Sequence, residues 1–265
     1  MSDSVQSRKD LVGKVAIVTG SSRGIGAGIA LKLASHGANV VINYHSSAQA
    51  AEDIASQARE KHGVRAITIK ADVSKEPDIV RLFETTKNEF GRVDIVMSNS
   101  GIEHFNDLEK TTSAEIDRVF DVNVKAQYFV AQQAWKHMEN YGRLVLISSI
   151  SAQKGFPRHA IYSASKAAVQ GMVKCLAWDF GPKNITVNCL APGGIKSDMY
   201  EQASAEYFHG QNLSPPEIDA ALSKWSPLNR VGMPDDVAGV VALLASPESQ
   251  WLTGQTLQVG GGAHM

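Results

Sequence analysis

The stretch Lys14–Gly28, "KVAIVTGSSRGIGAG", decides the fold. "KVAIVTG" is a short, apolar, β-branched run that reads as a buried strand, and the glycine-rich turn after it opens a helix from Gly24 to His36. Gly20 lets the strand end in a tight turn. Gly24 and Gly26 let backbone amides and a helix N-terminus come close to a pyrophosphate. The spacing is G-x-x-x-G-x-G rather than the commoner dinucleotide pattern. Its position, after a first strand and at the mouth of a helix, gives the cluster its weight.

The same alternation runs through the chain. Strands "ANVVIN", "RAITIKADV", "VDIVMSN", "RLVLISS", "TVNCLAP" and "TLQVGG" follow in order. Between them the periodicity predicts helices over Ala48–His62, Pro77–Phe90 with Ser74 as cap, Ser113 to about Met138, His159–Phe180 and Pro234–Ala245. Apolar strands each followed by an amphipathic helix mean a parallel sheet covered on both faces. The predicted fold is α/β: one Rossmann-type doubly wound sheet of about seven strands, with right-handed crossovers. Residues 1–10 lack periodicity and are expected to form a flexible tail before a domain spanning 11–265. Residues 194–232 form an excursion rich in Ser, Tyr and Pro, expected to be a lid or binding loop.

Composition narrows the function classes. The chain has 265 residues, 43% apolar and 20% charged, enough for a sizeable core. A net charge of −1 and a pI near 6.7 offer neither a basic stripe for nucleic acid nor a polybasic membrane patch. Cys175 and Cys189 are too few for a disulfide framework, which points to a reduced compartment. No secretory leader is read in "MSDSVQSRKD", and no run is long enough to span a bilayer. A cytoplasmic protein with neither nucleic-acid nor membrane partners is expected.

The second strand should end beside an adenosine ribose, where an acidic residue would accept from a free 2′-hydroxyl and select NAD. Here it ends Asn43, Tyr44, His45, Ser46, Ser47, with no carboxylate. Arg23 in the glycine loop is suited to a 2′-phosphate, although an isolated arginine is more often a solvated charge. The missing acid together with the arginine and serines favours NADP(H). Asp72 either binds the adenine amino group or caps a turn.

At the other end of the cleft, residues from several strand ends converge: Asn99–Gly101 in "SNSG", Ser148 and Ser149 in "ISS", Tyr162 and Lys166 in "YSASK", and Ala191–Gly194 in "APGG". On a helix, Tyr162 and Lys166 share one face, a turn apart. A ketone taking hydride develops alkoxide charge and needs a donor and a proton source. A nearby ammonium would lower the phenol pKa for that task.

With these landmarks in order over roughly residues 11–265, the chain resembles a classical short-chain dehydrogenase/reductase. The resemblance implies that Tyr162 is the general acid/base, that Lys166 lowers its pKa and holds the nicotinamide ribose, and that Ser149 orients the carbonyl. It implies that Asn123 in "DVNV" supports the proton relay. It also implies a cofactor site that includes Ile25, Val73, Asn99, Ser100, Gly101, Pro192, Gly193, Ile195, Ser197 and Met199, and a homotetramer built through the helices at 113–138 and 159–180. The segments "FPRHAIYSASK", "APGGIKSDMY", "SPLNRVG" and "GGAHM" look most like the fungal naphthol reductases and the versicolorin-type reductases. Those enzymes are implied to reduce polyhydroxylated aromatic rings through a keto tautomer. The chain is slightly shorter than that pattern between Gln153 and Pro157 and after Tyr207, which leaves the exact substrate open.

Ile150, Gly194, Tyr200, Tyr207, Trp225 and Met265 are the expected substrate contacts, with Ser149 and Tyr162. The three aromatics either wall a flat ring system or merely pack the lid. A 3-oxoacyl carrier-protein reductase is the rival enzyme reading, with Lys154 and Arg158 as basic surface for an acidic carrier. A regulator that has lost catalysis is disfavoured by the intact constellation. His159 is expected to be a solvated loop histidine. No metal site is expected.

Overall fold

The structure, a computed structural model, describes residues 9–263. Seven strands form one parallel sheet: β1 (Val15–Val18), β2 (Asn39–Tyr44), β3 (Ala66–Lys70), β4 (Ile95–Ser98), β5 (Arg143–Ile147), β6 (Thr186–Pro192) and β7 (Thr256–Val259). Their order is β3-β2-β1-β4-β5-β6-β7. Both β2 and β4 pair with β1 in parallel register, Val18 lying opposite Ile42 on one side and Met97 on the other. The order therefore reverses between β1 and β4, and such a switch point opens a crevice at the carboxyl ends of the strands. The strands β1, β4, β5 and β6 are wholly buried, which is why the centre of the sheet reads as apolar runs rather than alternating ones.

Helices α1 (Gly24–Ser35), α2 (Ala48–His62) and α9 (Pro234–Ala245) cover one face. Their Ile29, Leu33, Ala51, Ala55 and Val241 pack on Val18, Val40 and Ile42. The other face carries α3 (Glu76–Phe90), α5 (Ala126–His137) and α6 (Ala160–Phe180), where Phe83, Val130 and Val173 meet Ile17, Val96 and Leu144. Burying a side chain of this size stabilises the fold by about 1.5–3 kcal/mol.

Three expectations change. The helix predicted from Ser113 to Met138 is α4 (Ser113–Phe120) and α5 joined by a π turn at Asp121–Lys125. Ser74 does not cap α3: the N-cap is Lys75, without a side-chain bond, while Ser74 Oγ donates to Asp72 at 2.7 Å. The excursion 194–232 is not an irregular loop but contains two short helices, α7 (Asp198–Ala203) and α8 (Pro215–Ser223), joined through a 3₁₀ turn at Ser204–Phe208. Ser214 and Glu217 form a capping box that starts α8. Most of the tail reading falls on residues 1–8, outside the described residues. Beyond them, Leu11 is buried and its amide donates to the His36 carbonyl at 3.0 Å. Among the described residues, no helix is long and apolar enough to cross a membrane, and no group of acidic, His and Cys side chains is arranged to hold a metal.

Candidate active site

A cleft of about 1380 Å³ runs along the carboxyl edge of the sheet. That exceeds what one small ligand fills and suits a dinucleotide with a substrate beside it. Every residue expected from the sequence to touch cofactor or substrate lines it, apart from Met265, which lies outside the described residues. Asn123 sits behind the cleft wall rather than on it.

At the nucleotide end, Gly20 adopts φ +61, and a Cβ on Gly26 would lie 2.4 Å from the Gly20 carbonyl oxygen. The turn therefore closes on itself only with glycine. No acidic residue occupies the first turn of α1 and no side chain caps it, so its amides are directed at the cleft. Thr19, not singled out from the sequence, fixes the neighbouring wall: its Oγ1 accepts from the amides of Asn99 and Ser100 at 2.9 and 3.1 Å.

The ribose side differs from the sequence reading at two residues. Asn43 is buried, and its side chain is committed to the scaffold. Its Oδ1 accepts from the Gly20 amide at 3.0 Å, and Nδ2 donates to the carbonyls of Ile69 and Ala71 at 3.2 and 3.1 Å. Asp72 follows the turn alternative, with Oδ1 accepting from the Ser74 amide at 3.0 Å. The groups left to meet a phosphate are Arg23, Ser46 and Ser47 on the rim. Arg23 is 61% exposed and reaches Asp198 of α7 at 3.1 Å, a pair too solvated to hold it firmly. An uncapped helix start and a guanidinium held only by a solvated ion pair fit a phosphorylated dinucleotide.

At the chemical end, the extended backbone of Ser149 places its side chain beyond β5. Ser149 shares a hydrogen bond with the Tyr162 phenol and accepts from the Ser151 amide at 3.1 Å. Ser148 is turned away, donating to the Lys166 carbonyl at 2.7 Å. Tyr162 and Lys166 are both buried on the first turns of α6, with Lys166 Nζ 5.5 Å from the Tyr162 ring centroid and 3.5 Å from the Ile147 carbonyl. Burial pushes the Lys166 ammonium down to about 8, with Glu103 opposing the shift. Contrary to expectation, the Tyr162 phenol stands well above its ordinary value: burial dominates, Glu103 adds to it, and the Ser149 bond only partly opposes. In this structure Tyr162 is held as a proton donor.

Asn123 holds this arrangement from behind. Its Oδ1 accepts from the Ile102 amide, and its Nδ2 donates to the Ile102 carbonyl and to Ser165 Oγ. The π turn leaves its own carbonyl to accept from Gln127 Nε2 at 2.9 Å. Gln127, missed from the sequence, also takes both the amide and the carbonyl of Ile147 at 2.9 Å.

The substrate side is aromatic. Tyr207 stands edge-on to Phe105 and Phe156 at 5.0 and 4.9 Å, and Trp225 stacks on Phe156 at 5.7 Å. These rings both pack on each other and face the cleft, so the two alternatives for Tyr207 and Trp225 are not exclusive. Tyr200 is apart from them, its hydroxyl donating to Asp219 at 2.7 Å. Sequence reasoning missed Phe105 and Phe156, although "KGF" lies in the shortened segment beside the pocket. It also misjudged His159, which is fully buried, stacked on Phe105 at 4.0 Å. Desolvation there pushes its imidazole down to about 4, so it is neutral.

A parallel Rossmann-type sheet with a serine, tyrosine and lysine gathered at its switch-point cleft defines a nucleotide-dependent oxidoreductase scaffold. Residues 20–264 match the family model described as enoyl-(acyl carrier protein) reductase. The chain is 47% identical to a hydroxynaphthalene reductase-like protein Arp2 of Metarhizium robertsii, over 99% of each chain. It is 48% identical to a trihydroxynaphthalene reductase of Colletotrichum orbiculare, over 96% of this chain and 91% of that one. Among solved structures, the landomycin C-6 ketoreductase LanV with bound NADP and rabelomycin superposes with a TM-score of 0.83 at 34% identity, covering 96% of this chain and 97% of that one. The chain belongs to the short-chain dehydrogenase/reductase family.

Proposed function

We propose that this protein is an NADPH-dependent reductase acting on a carbonyl, or keto tautomer, of a polyhydroxylated aromatic polyketide such as a hydroxynaphthol or hydroxyanthraquinone. The observation that carries the reading is the continuity of one cleft: the Ser149–Tyr162–Lys166 cluster opens directly onto the Phe156–Tyr207–Trp225 wall. The names of the relatives and the aromatic ligand of LanV support it. The start of α1 would hold the phosphates of NADPH, with Arg23, Ser46 and Ser47 available to a 2′-phosphate, and the bound cofactor would supply the hydride. Ser149 donates to the carbonyl oxygen and fixes its distance from Tyr162. As charge develops on that oxygen, the Tyr162 phenol gives up its proton to it. The Lys166 ammonium stabilises the phenolate left behind, and burial strengthens that attraction. Asn123 and Gln127 position these groups without touching the substrate.

The carrier-protein reading loses its basic surface. Arg158 is bound at 2.8 Å to Asp107 and at 2.7 Å to Glu206, and Lys154 lies over the Phe156 and Trp225 rings. A homotetramer in the cytoplasm completes the proposal. Tyr128, Trp135 and Trp178, exposed on α5 and α6, support assembly through those helices, and two free thiols suit a reducing compartment. The test follows NADPH absorbance with a hydroxynaphthol or hydroxyanthraquinone, with a short 3-oxoacyl thioester and NADH as controls. Oxidation of NADPH by the polyphenol supports the reading; turnover of the thioester alone overturns it.

A further inference from the structure

Beside the Ser149–Tyr162–Lys166 cluster the cleft holds a carboxyl that the mechanism does not use. Glu103 follows β4 in "SGIEHF", and its side chain is only 18% exposed. Its Oε1 lies 3.4 Å from both His159 Nε2 and the His104 amide nitrogen. His159 Nδ1 lies 3.0 Å from the His104 carbonyl oxygen. A carbonyl only accepts, so Nδ1 carries the hydrogen and a neutral ring offers a lone pair at Nε2. That buried nitrogen has no hydrogen-bond partner among the described residues.

His159 Nε2 and Glu103 Oε1 face each other at ion-pair range but outside hydrogen-bond geometry. Glu103 Oε2 is an acceptor, and none of the described residues donates to it. The other groups facing it are already engaged. Tyr162 bonds Ser149, Tyr207 bonds Ser151, and Lys166 Nζ is directed at the Ile147 carbonyl. His104 approaches Glu115 instead, at 3.7 Å. Glu103 lines the aromatic cleft, so a ligand that displaces water from Oε2 must bring a donor or leave that oxygen unpaired.

We propose that Glu103 is a specificity-determining residue: its Oε2, beside the Ser149–Tyr162–Lys166 cluster, accepts a hydrogen bond from a ring hydroxyl of the aromatic ketone. The inference rests on the reductase reading and deepens it, since it says why the substrate must be hydroxylated. An aromatic ketone without the hydroxyl leaves Oε2 unpaired, and a substrate carboxylate at this position meets a second acceptor.

The experiment compares 1-tetralone with its monohydroxylated ring isomers under saturating NADPH, for the wild type, Glu103→Leu and Glu103→Gln. The wild type is expected to favour at least one hydroxylated isomer by about ten- to a hundredfold in kcat/KM. Glu103→Leu removes the acceptor, and the preference falls to about threefold or less, chiefly through KM for the hydroxylated isomer. Glu103→Gln keeps an acceptor oxygen, so it retains most of the preference. A wild-type enzyme that reduces the tetralones without preference overturns the inference and leaves the reductase reading standing. So does a Glu103→Leu enzyme that keeps the preference, or one that loses activity equally on parent and isomer. Turnover of a 3-oxoacyl thioester with no tetralone reduced overturns both.

Discussion

Asn123 Oδ1 accepts the Ile102 amide at 2.9 Å, and its Nδ2 returns a bond to the Ile102 carbonyl at the same distance. The loop after β4, which carries Glu103, His104 and Phe105 into the cleft, is thereby pinned to the π turn. A further bond from Nδ2 to Ser165 at 3.1 Å ties the same point to α6, one residue from Lys166. Replacing Asn123 with Ala should unpair the Ile102 amide and carbonyl, lowering stability by about 2–3 kcal/mol. Because Asn123 lies behind the cleft, kcat should fall more than NADPH affinity. Thermal unfolding, kcat and cofactor titration measured together check this, and a loss confined to NADPH affinity contradicts it.

Gln127 Nε2 donates to two carbonyls and its Oε1 accepts the Ile147 amide, all of them buried. Gln127→Leu keeps the volume but unpairs the end of β5, on which Ser149 rests. A drop of at least about 2 kcal/mol in unfolding free energy is expected, together with reduced kcat. Denaturant unfolding of the variant measures the first, and a neutral effect removes the positioning role assigned here.

At the ribose end, the proposed 2′-phosphate role of Arg23 implies that Arg23→Ala raises KM for NADPH about five- to tenfold and leaves NADH nearly unaffected. Asn43→Asp is a different kind of variant. It exchanges a side chain donating to the carbonyls of Ile69 and Ala71 for one that repels them, so it should reduce stability rather than switch cofactor. Steady-state kinetics with both nucleotides, beside thermal unfolding, separates the two; parallel loss of NADPH and NADH use in Arg23→Ala contradicts the assignment.

Burial raises Glu103 to about 7, with Lys166 opposing the shift. A carboxyl whose folded pKa lies above its unfolded value contributes most below the unfolded value, and that contribution is lost as pH rises toward 7. Glu103→Gln cannot ionise. Its stability should therefore gain on the wild type between about pH 4.5 and 8, by on the order of a few kcal/mol. Parallel stability–pH curves contradict a buried, neutral Glu103.

The sheet was legible because strands buried on both faces tend to be apolar along their length, as Val15–Val18 and the Val40–Ile42 segment of β2 are. Tyr162 and Lys166 were legible because helical spacing alone places them together. The π turn was not, since the apolar positions of α4 and α5 run through Asp121–Lys125 without a break in period. Nor was His159: its burial is made by Phe105 and Tyr207, which arrive from segments about fifty residues away on either side. Asn43 shows the intermediate case, where the absence of an acid was correctly seen but the partners of the amide were set by β3, beyond any local pattern.

The central claim is a reductase whose proton comes from Tyr162 and whose cleft takes a flat aromatic ketone. Its most direct test is NADPH oxidation at neutral pH with a hydroxynaphthol or hydroxyanthraquinone, run with the wild type and with Tyr162→Phe, alongside fluorescence titration of NADPH binding. The wild type should oxidise NADPH with the polyphenol. The phenylalanine variant should lose about a thousandfold in kcat while binding NADPH almost unchanged. Undiminished turnover in the variant, or a wild type that accepts only a 3-oxoacyl thioester, would contradict it.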